Sequence, residues 1–135
     1  MPKFLIWLSA CFLGLLAGTS YAAQGELPPA ESVALAHFAI QHQFLKLPVH
    51  GAFSLDPMAR EDDPHFASFE ALGVWTNNKY GSAVLGNYSV NRLTGEVWDL
   101  FTCERIDFRA LAKQQARYRA RFGLSPPNGL QPALC

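Results

Sequence analysis

Neither sign of charge prevails in this sequence: Lys and Arg together number 11, Asp and Glu number 11, and the formal net charge is zero. A generic nucleic-acid binder carries a clear basic excess, so that class is excluded. The usual frameworks of catalysis are missing too. No Gly-x-Ser-x-Gly elbow occurs, and Ser54, Ser68, Ser82, Ser89 and Ser125 stand in no nucleophile setting. A glycine-rich phosphate loop is absent, as are internal repeats and low-complexity segments. His37 and His42 share a predicted helix but are offset by about 140° around its axis, so they cannot chelate one metal. Asp62, Asp63 and His65 are close in sequence, yet Pro64 interrupts them and no fourth ligand is near. They read as a solvated loop, as does the Glu61-Asp62-Asp63 run, rather than as a buried carboxylate pair for glycoside hydrolysis. No metal and no cofactor is implied.

Long apolar stretches are equally scarce, with one exception at the start. Lys3 is followed by an apolar run from Phe4 to Gly18, then by the small-residue exit Gly18-Thr19-Ser20-Tyr21-Ala22-Ala23. This is the three-part pattern of a secretory signal peptide. Cleavage after Ala22 places small Ser20 and Ala22 at the positions a signal peptidase reads, so residues 1–22 are expected to be removed. The run is shorter than the roughly 20 apolar residues of a spanning helix, and no stable membrane insertion is expected after cleavage. Leu8-Ser9-Ala10-Cys11 resembles a lipobox, but a lipobox closes the apolar run and here the run continues through Leu16. Residues 23–135 then form a single domain of about 113 residues, enough for one core and too few for two.

Of the three cysteines, Cys11 leaves with the signal, and Cys103 and Cys135 remain for an oxidising compartment where disulfides persist. A Cys103–Cys135 bridge is expected, worth roughly 3–4 kcal/mol in the chain-entropy model; two free thiols or an intermolecular bridge through Cys135 are the alternatives. Charge is uneven along the chain. Acids dominate Asp56–Glu70 and bases dominate Arg105–Arg121, so the two segments face each other or one faces a partner.

Pro28-Pro29 followed by Val33, Ala36, Ile40, Phe44 and Leu47 at helical spacing predicts a helix over 30–46. Val49 to Leu55 alternates as a short strand, and Asp56 to His65 reads as an exposed loop. Phe66–Thr76, Ser82–Asn91 and Glu96–Phe101 read as strands, with Phe69, Ala71, Gly73 and Trp75 on one face and Asn77–Gly81 as a turn. Asn91-Arg92-Leu93-Thr94-Gly95 suits a tight hairpin loop whose last residue is left-handed, a conformation glycine takes without strain. Asp107 is the expected N-cap of a last helix with the stripe Phe108, Leu111, Ala112, Gln115, Tyr118 and Phe122, stopped at Gly123 with Leu124 folding back. The tail from Pro126 to Cys135 is irregular. The fold class is α+β: a small antiparallel sheet of three to four strands packed by an N-terminal and a C-terminal helix, burying Phe38, Phe44, Phe69, Trp75, Val90, Phe108 and Phe122.

The hairpin Tyr88-Ser89-Val90-Asn91-Arg92-Leu93-Thr94-Gly95-Glu96-Val97 resembles the final hairpin of PepSY-type domains. That resemblance implies a small exported domain that restrains a peptidase or binds a partner in the cell envelope. Trp98, Cys103 and the basic last helix depart from the pattern.

Candidate partner-binding residues are Trp75 and Trp98, as aromatic anchors on strands, and Arg109, Lys113, Arg117 and Arg121, a basic stripe at steps of four. Core packing for the tryptophans and a solvated face for the stripe are the plainer readings. The preferred function is a non-enzymatic, periplasmic protein-binding domain, an inhibitor or immunity-type factor whose partner is another cell-envelope protein. The alternative is a small envelope enzyme or cell-wall ligand-binding domain with a cleft beside His50, His65 and the acidic loop.

Overall fold

The computed structural model describes residues 24–44, 53–58, 63–73 and 83–135. Helix α1 spans Pro29–Phe44. The Pro28 carbonyl accepts the N–H groups of Glu31 at 3.1 Å and Ser32 at 3.0 Å, and the Ser32 hydroxyl at 3.2 Å. Pro29 loses nothing by lacking an N–H in the first turn, and Glu31 there suits the positive end of the helix dipole. The helix buries Ser32, Leu35, Ala36, Ala39, Ile40 and Phe44, a stripe at steps of three and four. This departs from the stripe read through Val33. Small Ser32, Ala36 and Ala39 are interspersed in the buried stripe with the larger Leu35, Ile40 and Phe44. Val33 and Phe38 are left at the rim, each 38% exposed. Leu47 lies outside the described residues.

Strands β1 (Ser54–Pro57), β2 (Phe66–Gly73), β3 (Ala83–Asn91), β4 (Val97–Asp99) and β5 (Glu104–Arg105) form an antiparallel sheet in the order β1-β2-β3-β4-β5. Five strands replace the three or four expected, for two local reasons. β1 runs into the segment read as loop because Asp56 and Pro57 lie on an edge strand, where a missing N–H is tolerated. β5 forms because β4 ends early. The Asp99 carboxylate accepts the N–H groups of Phe101 at 2.8 Å and Thr102 at 3.3 Å, and Cys103 then turns the chain back with φ 55°. Trp75 and the turn at 77–81 lie outside the described residues.

Alternation sorts the sheet into two faces. Phe69, Ala71, Tyr88, Val90 and Val97 join Leu27, Leu35, Ile40, Leu111 and Tyr118 in the core. Tyr88 pairs directly with Phe69 on one side and Asp99 on the other. On the second face Ser68 donates to Ser89 at 2.9 Å, and Trp98 is the β4 partner of Ser89. A register shift at Ala71/Leu72 leaves Leu85 as the extra residue of a bulge.

Helix α2 spans Arg109–Phe122 and buries Leu111, Gln115 and Tyr118. Its N-cap is Phe108, at φ −155° and ψ 155° without a side-chain cap, so the expected Asp107 cap is corrected by one residue. The Asp107 carboxylate faces Arg105 at 3.7 Å instead, and Phe108 stays extended while its ring packs on α1. Ala112, read as part of the buried stripe, is exposed. The helix stops at Gly123, φ 67°, and Leu124 behind it is buried. No helix among the described residues is long and apolar enough to cross a membrane.

Candidate functional site

The β3–β4 turn is the hub of the fold. Gly95 sits at φ 77°, in the left-handed region that a side chain would strain. The Gly95 N–H donates to the Asn91 carbonyl at 2.7 Å, and the Asn91 side chain accepts the Leu93 N–H at 2.9 Å. From α2, Gln115 donates to the Gly95 carbonyl at 2.8 Å and Arg119 to the Thr94 carbonyl at 3.2 Å. The leader arrives from the other side, where the Leu27 N–H donates to the Arg92 carbonyl at 2.8 Å and Arg92 Nε donates back to Leu27 at 2.9 Å. Arg92 also pairs with Glu26 at 3.0 Å.

Glu96 completes the hub. Its side chain is 2% exposed, and a buried carboxylate needs partners for its charge. It accepts the Thr94 hydroxyl at 2.9 Å, Arg105 Nη1 at 3.0 Å, and the backbone N–H groups of Asn128 and Gly129 at 3.2 Å each. One carboxylate thus ties the turn, strand β5 and the tail together. Sequence reasoning missed this residue; the signal was an acid set among apolar and turn residues directly after Gly95.

Two hollows lie side by side at the end where α1, the β4–β5 turn and α2 converge. His42 stacks on Phe108 with ring centroids 3.8 Å apart and an interplanar angle of 11°, and Phe38 lies 6.2 Å from the same ring. The His42–Phe108 stack is a wall shared by two hollows. One, of about 480 Å³, is bordered by Asp99, Glu104 and Asp107, and by Arg105, whose guanidinium is paired with Glu96. The other, of about 530 Å³, is bordered by Arg109 and Lys113. Phe101, on the ordered β4–β5 turn, is 71% exposed.

The structure distributes the sequence-predicted residues unevenly. Asn91, Thr94 and Gly95 form the turn just described. Arg109, Lys113, Arg117 and Arg121 are all exposed on α2. Arg109 and Lys113 border the second hollow, while Arg121 faces Glu31 at 3.7 Å and lies 4.8 Å over the Phe122 ring. Trp98 is 5% exposed, inside the sheet, and its Nε1 has no hydrogen-bond partner among the described residues. Cys103 and Cys135 are free thiols close enough to hydrogen-bond. His65 lies 3.9 Å from Glu26, and His50 and residues 59–62 are outside the described residues. No group of three or more His, Cys, Asp and Glu among the described residues converges to hold a metal.

Compared with solved structures, the chain resembles one in a type VI secretion system effector-immunity complex from Pseudomonas protegens. The match has a TM-score of 0.57 and 23% identity, over 74% of this chain and 80% of that one. At that identity the likeness is one of fold. No curated protein matches by sequence. A family model described as "T6SS, Immunity protein Tgi2PP" matches residues 26–125. This finding overturns the PepSY-type resemblance. A Thr-Gly loop recurs wherever a tight hairpin needs a left-handed residue, so those ten residues carried a turn geometry and no kinship. The match runs from the leader at Glu26, across both helices and the sheet, to Ser125, and the chain belongs to the type VI secretion immunity protein Tgi2PP family.

Proposed function

We propose that this protein is an immunity protein that binds a type VI secretion effector and neutralises it by occupation, without chemistry of its own. The observation that carries the reading is the family match over residues 26–125, which spans the whole helix–sheet–helix unit. The residues of that unit support it: buried polar groups such as Glu96, Gln115 and Asn91 are engaged in holding the fold together. The test is co-production with the type VI effector encoded beside its gene. Protection of the cell and a stable purified complex are expected. A folded chain that neither binds that effector nor protects against it refutes the reading.

The finer reading places the encounter in the periplasm. The signal-like pattern of residues 1–22 supports it, as does the meeting of Cys103 with Cys135. Partial desolvation and a hydrogen bond to Cys103 push the Cys135 thiol up to about 11. In an oxidising compartment the pair loses two protons and passes two electrons to a disulfide-donating oxidase, forming the bridge that fastens the tail. Intact mass of protein isolated from the envelope tests both points. Loss of residues 1–22 and of two hydrogens is expected; a full-length chain with two alkylatable thiols refutes them.

A further inference from the structure

Resting on the immunity reading, we propose that the effector docks on the end of the fold where α1, the β4–β5 turn and α2 converge. It presents a cationic side chain to the hollow bordered by Asp99, Glu104 and Asp107. Three independent features single out this end. First, the His42–Phe108 stack is preformed, at 3.8 Å and 11°. Rings already held in place cost little ordering entropy when a partner covers them. Second, Phe101 is the most exposed of the large apolar side chains among the described residues, at 71%. Its turn is pinned by the Asp99 carboxylate, so an apolar group is held out in water on an ordered backbone, an arrangement that favours a covering surface.

Third, the charges give the occupant a sign and an orientation. Among the described residues Asp99 and Glu104 have no basic side chain within ion-pair distance; Asp107 alone faces one, Arg105, at 3.7 Å. Across the aromatic wall Arg109 and Lys113 border the second hollow. A partner with a cation over the first hollow and an acid over the second meets complementary charge on both sides of the stack, and a reversed one meets repulsion.

The test is calorimetric titration of the full chain with the purified effector encoded beside its gene. Phe101→Ser and Glu104→Lys are each expected to weaken binding at least about tenfold, while Val84→Ser, also exposed and bordering neither hollow, changes it less than about twofold. Hydrogen exchange on the unmutated complex is expected to slow across residues 99–108. Wild-type affinity in both variants, with no slowing there, overturns the docking surface and leaves the immunity reading standing. Loss of binding on Arg109→Ser and Lys113→Ser but not on Glu104→Lys overturns the cationic occupant. Failure of the unmutated chain to bind the effector removes the immunity reading and this surface with it.

Discussion

Glu96 and Gly129, 33 residues apart, are joined by a 3.2 Å hydrogen bond from the Gly129 N–H to a carboxylate oxygen that is almost wholly enclosed. Removing that carboxylate strands the donors of Thr94, Arg105, Asn128 and Gly129 together. Glu96→Ala is therefore expected to destabilise by about 3–5 kcal/mol, the cost of breaking a buried charged network. Arg105 is 42% exposed, and solvent replaces much of what it supplies. Arg105→Ala leaves the enclosed carboxylate without its counter-charge, but with water able to reach the vacated position it is expected to cost less, about 1–3 kcal/mol. Urea melts rank the two, and equal losses disprove the hub role of Glu96.

The leader should be as sensitive as the hub. The Gly25 N–H donates to the Gly123 carbonyl at 3.1 Å, and a methyl group on Gly25 would collide with the Phe122 carbonyl oxygen. Backbone cannot yield as a side-chain tip does, so Gly25→Ala is expected to cost about 1–3 kcal/mol. Thermal melting checks it, and an unchanged melting temperature means the leader is not packed against the end of α2.

Tyr88 contributes to the loss of stability at alkaline pH. Burial first, and the facing Asp99 second, raise its hydroxyl from 10.0 to about 12. The unfolded tyrosine ionises near its ordinary value, so between pH 10 and 12 the native state holds the proton that the unfolded state has released. Stability contributed by this group is complete below pH 10 and is lost as pH rises, at no more than about 1.4 kcal/mol per pH unit. Asp99→Asn removes the smaller cause only. It should flatten the loss slightly, with urea midpoints between pH 9 and 12 as the readout.

The tail bridge predicts a redox dependence. Oxidised protein should melt higher than reduced protein by a margin of roughly 3–4 kcal/mol, and Cys103→Ser should abolish the difference. A reductant-independent melting point in the unmutated chain rules the bridge out.

The α+β class and the helix–strand–helix order were legible in the sequence because each rested on a local signal. Pro28-Pro29 opened α1, the Asn91–Gly95 pattern marked a turn, and Gly123 closed α2. What the sequence did not disclose depended on contacts at long range. The face that α1 buries, with Val33 left at the rim, is set by packing against distant elements. The shift of the cap from Asp107 to Phe108 follows from a ring on another helix. The hub at Glu96 draws on Arg105, Asn128 and Gly129, and the two-hollow end joins residues 42, 99 to 108 and 113. Kinship was the least readable quantity, since a ten-residue hairpin is dictated by backbone geometry in many unrelated folds.

Gln24 donates to the Ser125 hydroxyl at 2.6 Å across 101 residues of chain, while the Ser125 N–H holds the Leu93 carbonyl at 2.8 Å. Both ends of the folded unit are thus stitched to its middle, a high contact order that slows folding. A nascent chain that has not reached Ser125 has no means of closing this ring. A premature stop before Ser125 leaves the Gln24 amide and the Leu93 carbonyl without this shared partner.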